Sequence, residues 1–248
     1  MADDPLAPLV GLPGVARASE RAREALGKAH RHRANLRGWP ANAAEAAVRA
    51  ARASSVLDGG GPRFPADGLL SGPVLAGALR VAEALQGGAT ALVSVWQRAP
   101  LQALARLHAL AAADLVDNDR LGRPRDDAEV VRRLGLLAAL ITGGSAAPAP
   151  VLAAVAHGEL LTLAPFGSGD GVVARGVSRL IASASGLDPH GLGVPEVYWM
   201  RNPADYRAAA DGFVSGSREG VRGWLLLCCR ALEEGAREAV SIANAANK

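Results

Sequence analysis

The residues best suited to chemistry lie in one stretch, residues 157–175, with the sequence HGELLTLAPFGSGDGVVAR. Glycines alternate with other residues at positions 167, 169 and 171, and an apolar helical pattern follows them. Glycine reaches positive φ without a steric penalty, so such a loop can turn its backbone N–H groups inward. The next helix adds free N–H groups and a positive dipole end. The pattern predicts either an anion-binding loop between two helices or only a turn.

The same stretch resembles the signature of the Fic (Fido) family, H-P-F-x-[DE]-G-N-G-R-x-x-R, which has another histidine seven positions before the motif histidine. The positions in register with that pattern are His157, Pro165, Phe166, Gly169, Gly171 and Arg175. Four positions depart from it. Ala164 stands in place of the histidine, Ser168 of the acidic residue, Asp170 of the asparagine and Val172 of the first arginine.

The resemblance implies a nucleotide site with damaged catalytic chemistry. In similar proteins the motif histidine takes a proton from a target hydroxyl, which attacks the α-phosphorus of ATP, and the acidic residue holds Mg²⁺. Ala164 has no proton acceptor, so no catalytic residue is predicted. The implied phosphate-binding residues are Ser168, Gly169, Asp170, Gly171 and Arg175. ATP or another nucleotide is the implied ligand, and Mg²⁺ stays open, because Asp170 could hold the metal or, without one, would repel the phosphates.

A second resemblance lies at residues 53–59, ASSVLDG. Many Fic proteins carry an inhibitory helix with the pattern S-S-x-I-E-G, whose glutamate pairs with the last motif arginine. The resemblance implies that Ser55 and Asp58 are regulatory and that Asp58 pairs with Arg175. Aspartate is one methylene shorter than glutamate, so a long or water-bridged pair is expected. The other interpretation is a helix C-terminus with an ordinary surface acid.

A third, looser resemblance involves Asn202 and Tyr206, which match an N-x-x-x-Y pattern near the adenine pocket of some family members. It implies that both residues bind nucleotide. The alternative is a core tyrosine whose hydroxyl finds a partner inside the protein.

Composition favours a helical, globular protein. The chain has 248 residues, of which 50% are hydrophobic and only 4% aromatic, and alanine is abundant. With 27 basic and 24 acidic residues the charge is close to balance, so no nucleic-acid partner is expected. The longest apolar run, residues 134–141, is too short to span a membrane. The acidic start predicts no signal peptide, and the adjacent Cys228 and Cys229 read as core thiols of a cytoplasmic protein.

Periodicity predicts the elements that position these motifs. Helices are expected over residues 15–36, 41–57, 73–86, 90–116, 129–141, 151–163 and 217–240, in the signature helix, and from Pro203 onward. Gly38-Trp39-Pro40 predicts a break, and residues 61–72 and 186–195 predict loops. In the family a β-hairpin flap lies near residues 117–127, where few β-branched residues predict a minimal or lost hairpin. His30 and His32 alternate and so face different sides of a helix, which disfavours a metal site, and His108 reads as a helix-face histidine near the core.

The expected fold is all-α, and the resemblance implies a Fic-type helical bundle with an N-terminal inhibitory-type helix. Residues 1–60 would form the N-terminal helices and residues 61–248 the Fic-like domain, in one compact unit. Three functions are open. The first is a degenerate protein that binds a nucleotide or a partner and transfers little or no AMP. The second is an active nucleotidyl- or other group-transferase with altered chemistry. The third is a scaffold that has lost the nucleotide.

Overall fold

A computed structural model of the chain describes residues 4–61, 72–86 and 91–246. Within these ranges the protein is all-α and contains no strand, which confirms the all-α part of the predicted fold, while the Fic-type bundle stays a prediction. The helices are α1 Ala7–Val10, α2 Val15–His30, α3 Arg33–Leu57, α4 Pro73–Leu85, α5 Ala91–Arg98, α6 Pro100–Ala112, α7 Ala128–Ala139, α8 Ala149–Leu163, α9 Asp170–Ala184, α10 Pro195–Arg201, α11 Pro203–Val214 and α12 Arg218–Ala245. A 3₁₀ turn at Asn118–Arg120 and a π turn at Leu140–Gly144 complete them.

The first long helices differ from the prediction. The expected helix over residues 15–36 is wrong, because α2 ends at His30 and α3 begins at Arg33 with His32 as its N-cap. The expected break at Gly38-Trp39-Pro40 is also wrong, because Pro40 lies inside α3. Proline removes one helical hydrogen bond, and here the helix continues beyond it as a face of alanines packed in the core, including Ala43, Ala46 and Ala50.

Three further helix predictions, for residues 90–116, α10 and the end of α12, were wrong. The expected single helix over residues 90–116 is two helices, because Ala99 precedes Pro100 and takes the non-helical φ/ψ of −144° and 67°. Residue 90 and most of the loop predicted at residues 61–72 lie outside the described residues. The short helix α10, Pro195–Arg201, was missed, and α12 runs to Ala245 instead of ending at Val240. The end of α3 at Leu57 and the start of α11 at Pro203 are confirmed.

Helices α8 and α9, on either side of the signature loop, form the centre of the core. Helix α8 is buried around its whole circumference, since its buried residues include Val151, Ala154, His157 and Leu160. Helix α9 contributes Val173, Val177, Leu180 and Ile181 to the same cluster as α4, α6 and α8. A helix buried on all sides is held rigidly, so the loop between α8 and α9 has fixed ends.

The N-terminal helices share hydrophobic clusters with the rest of the chain. Leu26 of α2 and Ala43 of α3 pack with Ala182 of α9 and Leu232 of α12. In a second cluster, Ala51 near the end of α3 packs with Val172 at the start of α9. The domain boundary near residue 60 stays a prediction, because residues 62–71 are not described.

Two sequence predictions, on the cysteines and on membrane-spanning helices, can be compared directly with the structure. Cys228 and Cys229 are free and buried, as predicted for core thiols, and burial raises the pKa of both. None of the helices that the structure describes is long and apolar enough to cross a membrane.

Candidate functional site

The signature loop is a tight turn between α8 and α9. Ala164, at the C-cap of α8, has φ 45° and is the one non-glycine with positive φ among the described residues. Gly167 and Gly169 have φ 76° and 66°, and Gly169 is the N-cap of α9. These three left-handed residues reverse the chain within six positions, which explains why the alternating glycines are there.

Asp170 is used inside the loop. Its Oδ1 accepts a hydrogen bond from the backbone N–H of Phe166 at 2.9 Å, and the residue is buried. Burial raises the pKa of this carboxyl, although hydrogen bonds from Phe166 and Gly167 oppose the shift. No group of three metal-ligating side chains occurs in the part of the chain that the structure describes. One oxygen of the Asp170 carboxylate is engaged by the loop, and binding of Mg²⁺ by this residue stays a prediction.

Arg175 is the charged group at the centre of the site. It projects from the second turn of α9, and only 1% of its side chain is exposed. Its Nε donates to Ser54 Oγ at 2.8 Å, and its Nη2 donates to Ser54 O at 3.0 Å and to Asp58 Oδ1 at 2.7 Å. Its Nη1 donates to Tyr206 Oη at 3.4 Å. Burial lowers the pKa of Arg175, but attraction to Tyr206 and Asp58 more than offsets this effect, so the guanidinium stays charged.

Asp58, the C-cap of α3, lies against the first turn of α9. A Cβ placed on Gly171, the second residue of α9, would come within 2.6 Å of both Asp58 carboxylate oxygens, so only glycine permits this approach. The carboxylate therefore sits where the helix N-terminus is most positive. The expected long or water-bridged pair is wrong, because close approach over Gly171 lets the shorter aspartate contact Arg175 directly at 2.7 Å.

The two serines of the ASSVLDG segment have different surroundings. Ser54 contacts Arg175 with both its hydroxyl and its carbonyl, whereas Ser55 Oγ donates to Gly61 O at 3.3 Å. Ser54 and Asp58 are four residues apart and share one face of α3, so both reach Arg175. Ser55 was predicted and Ser54 was missed, although the i, i+4 spacing of Ser54 and Asp58 could have revealed it. A regulatory role for Ser55 stays a prediction.

Tyr206 connects Arg175 to His157. Its hydroxyl accepts from Arg175 and lies within hydrogen-bond distance of His157 Nε2, at 2.7 Å. His157 is fully buried, and its ring packs edge-on against Trp199 and Trp224. The hydroxyl of Tyr206 is thus satisfied in the core, and adenine binding by this residue stays a prediction.

Asn202 and Ser168, both predicted to bind nucleotide, make no described side-chain contact with Arg175. Asn202 Nδ2 donates to Tyr198 O at 2.9 Å at the junction of α10 and α11. Ser168 Oγ is buried without a hydrogen-bond partner among the described residues. Their roles in nucleotide binding stay predictions.

His157 gives the site a pH dependence. Burial, aided by the positive charge of Arg175, lowers the pKa of His157 well below its usual value. Below about pH 6.5 the unfolded chain therefore binds a proton at His157 that the folded chain does not bind. The free energy of unfolding consequently falls as the pH drops through this range. We expect His157 to lower the free energy of unfolding by up to about 1.4 kcal/mol for each pH unit below about 6.5.

Urea unfolding at several pH values, together with NMR titration of the imidazole signals, measures this effect. The His157 signals should titrate well below the usual range of histidine. Titration of His157 near pH 6.5 would contradict the expected burial effect.

Arg125 and His108 also hold the loop, and the sequence analysis assigned neither to it. Arg125 donates its backbone N–H to Pro165 O at 2.8 Å, and its side chain donates to the carbonyls of Leu163 and Ala164 at the end of α8. The His108 ring stacks on Phe166 with centroids 4.0 Å apart, in keeping with its predicted place near the core. Arg125 lies in the 117–127 segment, which contains a 3₁₀ turn and no strand in the described structure.

No protein-family model matches this chain, and no curated protein is significantly similar to it. The site must therefore be interpreted from its own geometry. It combines a tight glycine loop, a helix N-terminus, a buried charged arginine and an internal carboxylate that contacts both the arginine and the helix. These groups can bind an anion, and Ala164 supplies no proton acceptor beside them.

Proposed function

We propose that the chain is a degenerate Fic-type protein that binds a nucleotide or a partner at the signature loop and transfers little or no AMP. The observation that carries the proposal is the position of Asp58. A carboxylate lies against Gly171 at the N-terminus of α9 and pairs with Arg175 at 2.7 Å. The place where a phosphate would be expected therefore already attracts one anion.

Binding of a nucleotide phosphate there requires that Asp58 move away. Asp58 is the C-cap of α3, and its side chain is 22% exposed, whereas Arg175 is enclosed. We therefore expect the end of α3 to move aside and Arg175 to keep its position. Phosphate and carboxylate both suit a guanidinium, so they would compete for the same donors.

The side chains around the loop support the proposal of little or no transferase activity. Position 164 is alanine, and the nearby histidines, His108 and His157, are both buried. His157 Nε2 is engaged by Tyr206, and burial lowers the pKa of both histidines. A general base must reach the proton that it removes, and neither ring is exposed to do so.

We expect the purified protein to transfer no AMP from labelled ATP to itself or to the proteins of a cell lysate. Autoradiography after incubation with labelled ATP and Mg²⁺ measures this. Ala164→His alone should restore little, because Ser168, Asp170 and Val172 also differ from the family pattern and groups that act as a unit are not additive.

Strong labelling by the unmodified protein that Arg175→Ala abolishes would overturn the proposal in favour of an active transferase. Calorimetric titration with ATP, with and without Mg²⁺, separates the remaining possibilities. Heat of binding by the Asp58→Ala variant supports a nucleotide site, and its absence supports a partner-binding protein or a scaffold.

A further inference from the structure

The corner between α2 and α3 carries an unusual concentration of positive charge. No acidic residue occurs from residue 25 to residue 44, whereas this segment contains Lys28, Arg31, Arg33 and Arg37. All four side chains belong to exposed residues. None of them forms an ion pair with any residue that the structure describes, although most arginines elsewhere in those ranges do.

An exposed apolar side chain lies within this charge. Leu36 is 66% exposed, the highest value among the large hydrophobic residues that the structure describes as exposed. Arg33, Leu36 and Arg37 have i, i+3 and i+4 spacing, so they share one face of the first turns of α3. That face points to solvent, because the buried residues of this part of the helix, such as Asn35 and Asn42, lie elsewhere on its circumference.

We propose that this basic corner, Lys28, Arg31, Arg33, Leu36 and Arg37, binds the anionic headgroups of a phospholipid surface. Lysine and arginine next to a membrane are attracted to acidic lipids, and an exposed apolar residue on the same face enters the headgroup region. Charge complementarity selects the partner, since none of the four cations forms an ion pair with a residue that the structure describes, although Lys28 lines a surface groove together with Glu24 and Glu233. The contact is peripheral and dominated by charge.

A lipid surface fits the corner better than a nucleic acid. Single strands are held by aromatic rings on which bases stack, and the aromatic residue of this segment is Trp39. Its ring already stacks on His190, with centroids 4.1 Å apart and an interplanar angle of 10°. Leu36, in contrast, has no role on a phosphate backbone but suits the boundary between headgroups and acyl chains.

This inference does not rest on the function proposed above. Leu36 and Asp58 are near opposite ends of α3, roughly 30 Å apart at 1.5 Å per residue. Loss of lipid binding would leave the signature loop unchanged, and failure of ATP to bind would leave the basic corner unchanged.

Co-sedimentation of the full chain with vesicles tests the proposal. We expect the protein to sediment with vesicles of phosphatidylcholine mixed with phosphatidylglycerol and to stay in solution with phosphatidylcholine alone. Added salt should weaken binding, because it screens exposed charges. The double variant Arg33→Gln/Arg37→Gln should bind about 30-fold more weakly, and Leu36→Gln should lose about tenfold.

A matched control comes from a surface where acids balance the cations. Arg207 and Arg218 are exposed, Val214 between them is 63% exposed, and Asp205, Asp211 and Glu219 surround them in the sequence. The double variant Arg207→Gln/Arg218→Gln changes the net charge by the same amount, and Val214→Gln matches Leu36→Gln. Both should bind like the unmodified protein.

Two results would overturn the proposal. One is equal binding to neutral and anionic vesicles, or losses in the control variants as large as those at the corner. The other is tighter binding to an oligonucleotide than to anionic vesicles, with Leu36→Gln unaffected, which would assign the corner to nucleic acid. Circular dichroism of each variant verifies that the substitutions leave the fold intact.

Discussion

Replacing Arg175 by alanine is expected to lower the free energy of unfolding by about 3–5 kcal/mol. The guanidinium is 1% exposed and donates to Ser54, Asp58 and Tyr206. Its loss leaves a partly buried carboxylate without its counter-charge and three other polar groups, the hydroxyl and carbonyl of Ser54 and the hydroxyl of Tyr206, without their donor. It also removes the salt bridge between Asp58 at the end of α3 and Arg175 of α9. Urea denaturation followed by circular dichroism measures the change.

Two controls separate the buried cluster from arginine loss in general. Arg132→Ala removes an arginine that pairs with Glu129 on the exposed side of α7, and no measurable destabilisation is expected. Tyr206→Phe keeps the ring but removes the hydroxyl between Arg175 and His157, and an intermediate loss of about 1–3 kcal/mol is expected. If Arg175→Ala costs no more than Arg132→Ala, the buried contacts of Arg175 do not stabilise the fold.

The sequence predicted helices well where local signals agree. Asp127 and Ser217 have side chains that cap α7 and α12, and Pro203 stands at the start of α11. Predictions from local sequence signals were wrong where tertiary packing has the larger effect on the helix. Pro40 reads as a break, but the alanine face beyond it packs in the core and keeps α3 continuous. Helix α10 is too short for its periodicity to be recognised.

The candidate site was predictable in part, for a similar reason. The glycine pattern pointed to the loop, the family resemblance pointed to Asp58 and Arg175, and the structure brings Asp58 to Arg175. The participation of Ser54 depends on which face of α3 meets α9, and that of Arg125 depends on a backbone contact with Pro165. The spacing of Ser54 and Asp58 indicates that they share a face of α3, but no local pattern encodes which helix that face meets or that Arg125 contacts Pro165.

Replacing Asp58 by alanine is expected to tighten ATP binding by about 10–100-fold. The carboxylate and a phosphate would compete for Arg175 and for the N-terminus of α9. A charge-assisted hydrogen bond in a partly buried place is worth about 1.5–3 kcal/mol, and each 1.4 kcal/mol corresponds to a factor of ten in affinity. The direct 2.7 Å contact supports the upper part of this range. Isothermal titration calorimetry with ATP measures the change.

Asp58→Asn is the matched control, because asparagine has nearly the same shape as aspartate but no charge. If charge competition governs the site, the Asp58→Asn variant should show most of the gain that Asp58→Ala shows; if mere bulk blocks the site, it should behave like the unmodified protein. Arg175→Ala should abolish binding in either background, once its folding has been verified at the temperature of the titration. Unchanged affinity in Asp58→Ala, with binding lost in Arg175→Ala, would show a real anion site that Asp58 does not regulate. In that case the end of α3 would serve only to neutralise Arg175 in the core, since the guanidinium needs a counter-charge there.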